Sequence, residues 1–164
     1  MAEKNLQSLF HDTLRDIYYA ERAILKALPK MARGAETPEL KEAFKTHKEE
    51  TEEHVARLQQ VFEIIGKRAQ GKTCPAIDGI IEEGEEAMSE YKGTPALDAA
   101  VSAAAQAVEH YEITRYGTLK RWAEVLGMAD AAKLLDATLQ EEGKTDEMLT
   151  ELADSTANEQ AAAA

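Results

Sequence analysis

The stretch Leu14–Met31, LRDIYYAERAILKALPKM, carries an apolar stripe at helical spacing: Leu14, Ile17, Ile24, Leu28 and Met31. Its one polar member is Glu21, between Ile17 and Ile24. Steps of three and four put all six residues on one helix face. An unpaired carboxylate on a buried face is costly, so Glu21 asks for a partner. The pattern recurs along the chain. A second stripe contains Leu40, Phe44 (or Ala43), His47, Glu50 with Thr51, His54, Leu58, Val61 and Ile65. Its middle is polar and both ends are apolar. A third contains Ala132, Leu135, Leu139, Glu142, Asp146, Leu149 and Leu152, again with the acids central. Between them two phases compete. One runs Val101, Ala104, Val108, Tyr111, Arg115, Trp122, and the other Ala105, Val108, Glu112, Leu119, Trp122. Glu109 and Glu112 are one turn apart and can share a face.

Prolines and glycines divide these segments. The expected helices run from about Asn5 to Arg33, disturbed near Pro29; from about Pro38 to Ala69; from about Ala76 to Tyr91; from about Pro95 to Leu126; and from about Ala129 to Ser155. Thr156 to Ala164 is expected to be a frayed tail, which leaves residues 1–155 as one bundle domain. Four of the helices have about 27–32 residues, or about 40–48 Å of length, and pack best side by side. The links Gly34–Thr37 and Gly127–Met128 are short and make antiparallel hairpins. The link between the hairpins holds a whole short helix and can cross the length of the bundle. Two hairpins with one long crossover form an all-α, ferritin-like four-helix bundle.

Composition narrows the function. Lys and Arg number 19 against 31 Asp and Glu, a net charge of −12, which opposes general nucleic-acid binding. The lone Cys74 excludes an intrachain disulfide and a thiolate zinc site. No apolar run approaches a membrane span, and Met1–Asn5 does not open a signal peptide. The expectation is a cytoplasmic protein with no membrane partner.

With a bundle closed around them, the mid-helix acids meet at one level. Four carboxylates carry a charge that two divalent cations neutralise, and imidazoles add neutral donors. The metal candidates are Glu21, Glu50, His54, Glu109, Glu112, Glu142 and Asp146. Glu49 or Glu53 replaces Glu50 if the helical phase is off by one. His47 reads as a support for a ligand or a structural group and His110 as a support or bundle surface, with metal binding by either left open, and Cys74 reads as a free thiol. Tyr18, Tyr19, Tyr111 and Tyr116 read as core rings with hydroxyls at polar partners. The donor set suits iron or manganese. No Glu-x-x-His occurs; Glu50-x-x-x-His54 and Glu142-x-x-x-Asp146 stand in its place.

His47-Lys48-Glu49-Glu50-Thr51, Cys74-Pro75-Ala76-Ile77-Asp78-Gly79-Ile80-Ile81-Glu82-Glu83, Gln106 to Ile113 with Tyr116-Gly117-Thr118-Leu119, Leu134-Leu135 and Leu139-Gln140-Glu141-Glu142 resemble the YciF-like family of bacterial stress proteins. Glu109-His110-Tyr111-Glu112 is the most specific block. The resemblance implies a ferritin-like homodimer with a di-iron centre, induced under stress. The expected activity is reaction of two iron ions, or iron and manganese, with dioxygen or peroxide. The alternatives are a non-catalytic structural or partner-binding bundle and a manganese catalase relative.

Overall fold

The computed structural model describes residues 4–163. Met1, Ala2 and Glu3 of the expected start and Ala164 of the expected tail lie outside the described residues. All regular structure among the described residues is helical. Helix α1 is Leu6–Gly34, α2 is Pro38–Ile64, α3 is Pro75–Glu90, α4 is Leu97–Val125, α5 is Ala129–Leu152 and α6 is Asn158–Ala162.

Local chemistry sets the boundaries. At the start of α1, Asn5 Oδ1 accepts from Ser8 N at 2.9 Å and Ser8 Oγ accepts from Asn5 N at 3.0 Å, a reciprocal cap. The helix passes through Pro29 and ends only at Gly34. Helix α2 stops at Ile64, short of Ala69, because Gly66 takes φ +65°. Lys67 N then donates to Phe62 O at 2.9 Å and Gly66 N to Glu63 O at 2.9 Å, which closes the end of the helix. Cys74 is buried and caps α3, its Sγ accepting from Ile77 N at 3.5 Å. Helix α4 starts at Leu97 after a turn in which Leu97 N donates to Thr94 O.

Helices α1 and α2 form one hairpin and α4 and α5 the other. Helix α1 lies beside α2 and α4, and α5 beside the same two. The crossover helix α3 packs on α1 and α4 and runs in the direction of α1. Its start is fixed near Arg15 O, which accepts from Lys72 N, and its far end by Lys30 Nζ at 2.8 Å from Glu85. This is the expected ferritin-like wiring.

Helix α5 leads through a π-helical turn, Ala153–Ala157, into the short α6. Ala153 and Ala157, four residues apart, are small enough to lie buried, and the turn packs on α4.

At the end of the bundle holding the α1–α2 turn, α2 has no side-chain cap of its own. The buried carboxylate of Asp98, in the first turn of α4, supplies one. It accepts from Glu36 N at 2.7 Å and Thr37 N at 2.8 Å, and so ties the two hairpins together. Replacing Asp98 by Ala is expected to cost about 2 kcal/mol, a drop of about 4–8 °C in Tm read by circular dichroism. An unchanged Tm would show that the clamp adds nothing.

Candidate metal centre

The polar residues of the four stripes meet at mid-height. Glu21 lies near the middle of α1, His47 and His54 flank the middle of α2, Glu109 and Glu112 lie in α4, and Glu142 lies in α5. None of the six is more than 2% exposed. Two sets of ligand atoms each fall within 4.8 Å of one another. One is Glu21, His54 and Glu142, and the other is His47, Glu109, Glu112 and Glu142. Glu142 belongs to both.

His54 Nδ1 is 2.9 Å from Glu142 Oε1 and 3.4 Å from Glu21 Oε1. His47 Nε2 is 3.1 Å from Glu109 Oε1 and 3.7 Å from Glu142 Oε2. These contacts are close but not aligned for hydrogen bonding, and His54 Nδ1 and His47 Nε2 both lack a hydrogen-bond partner. So do both oxygens of Glu112, both of Glu142, Glu21 Oε2 and Glu109 Oε2. Among the described residues the other buried side-chain atoms in this condition are Ser102 Oγ and Arg115 Nε. Unsatisfied buried donors and acceptors therefore concentrate at one place, as expected of groups aimed at a common ion. The residues fit a metal.

The far side of each imidazole is held. His54 Nε2 lies 2.9 Å from Glu141 Oε2, and Arg57 grips Glu141 with two hydrogen bonds of 2.6 and 2.9 Å. His47 Nδ1 lies 3.4 Å from both Glu50 Oε2 and Thr145 Oγ1. An outer carboxylate on one ring nitrogen fixes the ring and directs the other nitrogen inward. The Tyr116 hydroxyl, fully buried, donates to Glu21 Oε1.

Without a cation the cluster closes its charge with protons. Burial, and then the charges of Glu142, Glu21 and Glu109, push the Glu112 pKa well above the ordinary value. Burial does the same to Glu142, against the opposing influence of the adjacent His54 imidazole. Burial opposes the charged form of His54, yet Glu142 and Glu21 outweigh it and raise its pKa to about 10. His47 is likewise raised, against burial, chiefly by Glu109. Burial works to raise Glu21, but His54 prevails and the group lies below its ordinary value.

Of the sequence candidates, Glu21, His54, Glu109, Glu112 and Glu142 come together, whereas Glu50 and Asp146 do not. The buried row of α2 is Leu40, Phe44, His47, Thr51, His54, Leu58, Val61, which steps past Glu50. Glu50 therefore sits on the flank with its side chain 40% exposed, behind His47. The buried row of α5 continues from Glu142 to Thr145 and Leu149. Asp146 is turned outward, 3.1 Å from the exposed His110 and accepting from Gln106 at 3.2 Å. Glu49 and Glu53 are exposed. His47, read as a support, stands inside the cluster; its seven-residue spacing from His54, on the apolar register, was the available signal. Tyr111 faces away from the cluster, toward Asp16 at 3.0 Å and Cys74 at 2.9 Å.

The sequence matches the family described as Domain of unknown function (DUF892) over residues 5–162. It is 43% identical to Protein YciF of Escherichia coli (strain K12) over 162 residues, 98% of each chain. The crystal structure of the E. coli stress protein YciF superposes with a TM-score of 0.91, covering 95% of this chain and 99% of that one at 43% identity. YcfI from Rhodopseudomonas palustris gives a TM-score of 0.88 at 45% identity, over 92% of this chain and 97% of its own. A protein from Xanthomonas campestris pv. campestris, at 23% identity and a TM-score of 0.71 over 92% of both chains, shares the fold. The chain belongs to the DUF892 family, with YciF.

Glu112 gives a stability test in metal-free protein. Its folded pKa lies above the ordinary 4.5, so its contribution to stability falls as pH rises past that value. Glu112→Gln mimics the protonated form. It is expected to raise the Tm of chelator-treated protein at pH 8 by about 2–4 °C, from about 1 kcal/mol, with the gain vanishing below about pH 4.5. A lower Tm at pH 8 would contradict this charge assignment.

Proposed function

We propose that this DUF892-family chain is a stress-response protein whose bundle holds two metal ions, iron or iron with manganese, and that they react with dioxygen or peroxide. The observation that carries the reading is the shared Glu142, a carboxylate common to two groups of otherwise unsatisfied buried donors. Two divalent cations offset the charges of Glu21, Glu109, Glu112 and Glu142, and His47 and His54 supply neutral nitrogen. The E. coli relative is described as a stress protein, and that role is carried over as part of the proposal. No helix among the described residues is long and apolar enough to cross a membrane; the homodimer implied by the resemblance and the cytoplasmic location expected from composition belong to the proposal.

When bound, a pair of redox-active ions supplies the two electrons that reduce peroxide. The residues supply the rest. Glu141 and Glu50 hold the two imidazoles so that His54 Nδ1 and His47 Nε2 face the interior. Tyr116 fixes one oxygen of Glu21. The protons on Glu112, Glu142 and the imidazoles must leave as cations enter. The apolar stripes on either side of the cluster keep bulk water away.

A non-catalytic bundle is the competing reading. It is favoured by the pairing of His47 and His54 with the acids, which neutralises part of the charge without any cation.

Metal analysis separates the two. Protein from cells supplied with iron and manganese is expected to carry about two ions per chain, as two-metal sites do. Glu142→Ala should lower metal content to background, because both groups use it, and Glu21→Ala should remove about half. Near-zero iron and manganese in the parent, with no binding on titration, would leave the structural reading standing.

A further inference from the structure

The interior is packed differently on the two sides of the six-residue cluster. Toward the end holding the α4–α5 turn, Phe10, Leu14, Leu58, Phe62, Leu119 and Leu135 fill the space around the buried Ala123, Ala131 and Ala132. Toward the Asp98 end, small residues occupy inward positions, among them Ala43 on α2 and Ala105 on α4. They leave a pocket of about 30 Å3 lined by α1, α2, α4 and α5, partly covered by α3 and bordered by the solvent-exposed Lys30 and Glu85. Phe44, Met88 and Leu149 contribute apolar walls, while His47 and Glu109 of the metal cluster also line it. Gly84 lets the roof sit close. A Cβ there would lie 3.2 Å from the Ala104 Cβ, so a larger residue would push α3 off α4.

A single water needs about 10–15 Å3 of such space, so this cavity takes a diatomic molecule and excludes a metabolite. Its walls are mostly apolar, with His47, Glu109 and Thr145 on the cluster side and Lys30 and Glu85 at the border as the polar groups, and apolar cavities in proteins hold apolar gases such as xenon in preference to water. Peroxide, with two donors and two lone-pair-bearing oxygens, would forfeit hydrogen bonds there. We propose that this cavity is a binding site for a small apolar gas, and that it stores dioxygen beside His47 and Glu109. The choice of dioxygen rests on the di-metal reading; the cavity itself does not. Leucine in place of Ala105 would fill the space with ordinary core.

The test uses xenon on metal-free full-length protein, followed by xenon NMR and by anomalous scattering from pressurised crystals. The parent is expected to show one saturable site in the cavity. Ala105→Leu should weaken it about tenfold or more. Ala43→Val adds less volume, serves if the first variant fails to fold, and should also weaken xenon binding. No xenon in the parent cavity, or undiminished xenon in a folded variant, overturns the proposal. In iron-loaded protein, Ala105→Leu should lower the ratio of dioxygen-driven to peroxide-driven oxidation rates about tenfold. An unchanged ratio overturns the assignment to dioxygen. Xenon binding alongside near-zero metal content would sink the di-metal reading and leave the gas cavity intact.

Discussion

Four carboxylates and two imidazoles occupy the middle of an apolar bundle, and their charge has to close within that interior. Unpaired ions there would cost several kcal/mol each, comparable to the whole stability of a domain of this size. Closure by protons and closure by cations both relieve the cost, and they compete for the same atoms. Protons leave most of the inward lone pairs without a hydrogen-bond partner. Cations satisfy them directly. The apolar halves above and below carry the fold, so the cluster need not contribute stability of its own. It sets the level at which the four helices must be in register.

The fold was readable because each of its determinants is local. Helix periodicity, Gly34–Thr37 and Gly127–Met128 as short links, and the placement of a whole helix between the hairpins all lie along the sequence. Glu21 was readable for the same reason, since every other member of its stripe is apolar. The row of Glu142 held Asp146 as well, and of this pair only Glu142 continues the buried row. Helix α2 was harder. Four acids and two histidines within eight residues allow several phases, and the right one is visible only when His47, Thr51 and His54 are taken as a continuation of Leu40 and Phe44. In α4, with alanines on several faces, two stripes fit equally well. The structure buries Glu109 and Glu112 together with Val101, Ala105 and Val108, largely the second stripe. At the C-terminus, alanine-rich sequence signals neither burial nor exposure, so packing against α4 decided the outcome.

What the sequence could not show is the outer ring. Glu141 meets His54 and Arg57 across 87 and 84 positions of chain, and no spacing rule predicts a contact that depends on the rotation of α5 against α2. Its sequence neighbour Glu142 faces the core, so one step along the helix separates a carboxylate inside the cluster from one that steadies it. Glu50 plays the matching part behind His47, at a longer 3.4 Å. A helix places adjacent residues about 100° apart, so an acid pair at a helix edge can serve both shells. Runs of Glu in such a bundle are therefore ambiguous until the phase is known.

The crossover helix does more than connect. A four-helix bundle wired with short loops would leave the α1–α4 groove open to solvent. Here α3 fills it with Ile77, which is fully buried, and with Ile80, Ile81 and Met88. That cover is tight only because Gly84 removes a side chain where α3 meets Ala104. The same cover lets the interior beneath it be under-filled. A surface groove lined by Ala43 and Ala105 would simply flood, whereas one covered in part by α3 keeps mostly apolar walls. Filling it with leucine would add buried apolar area of the kind that stabilises cores, so the small residues trade stability for space beside the cluster. On the opposite side Phe10, Phe62 and four leucines fill the space around the buried Ala123, Ala131 and Ala132, and the pocket beside His47 and Glu109 has no counterpart there among the described residues.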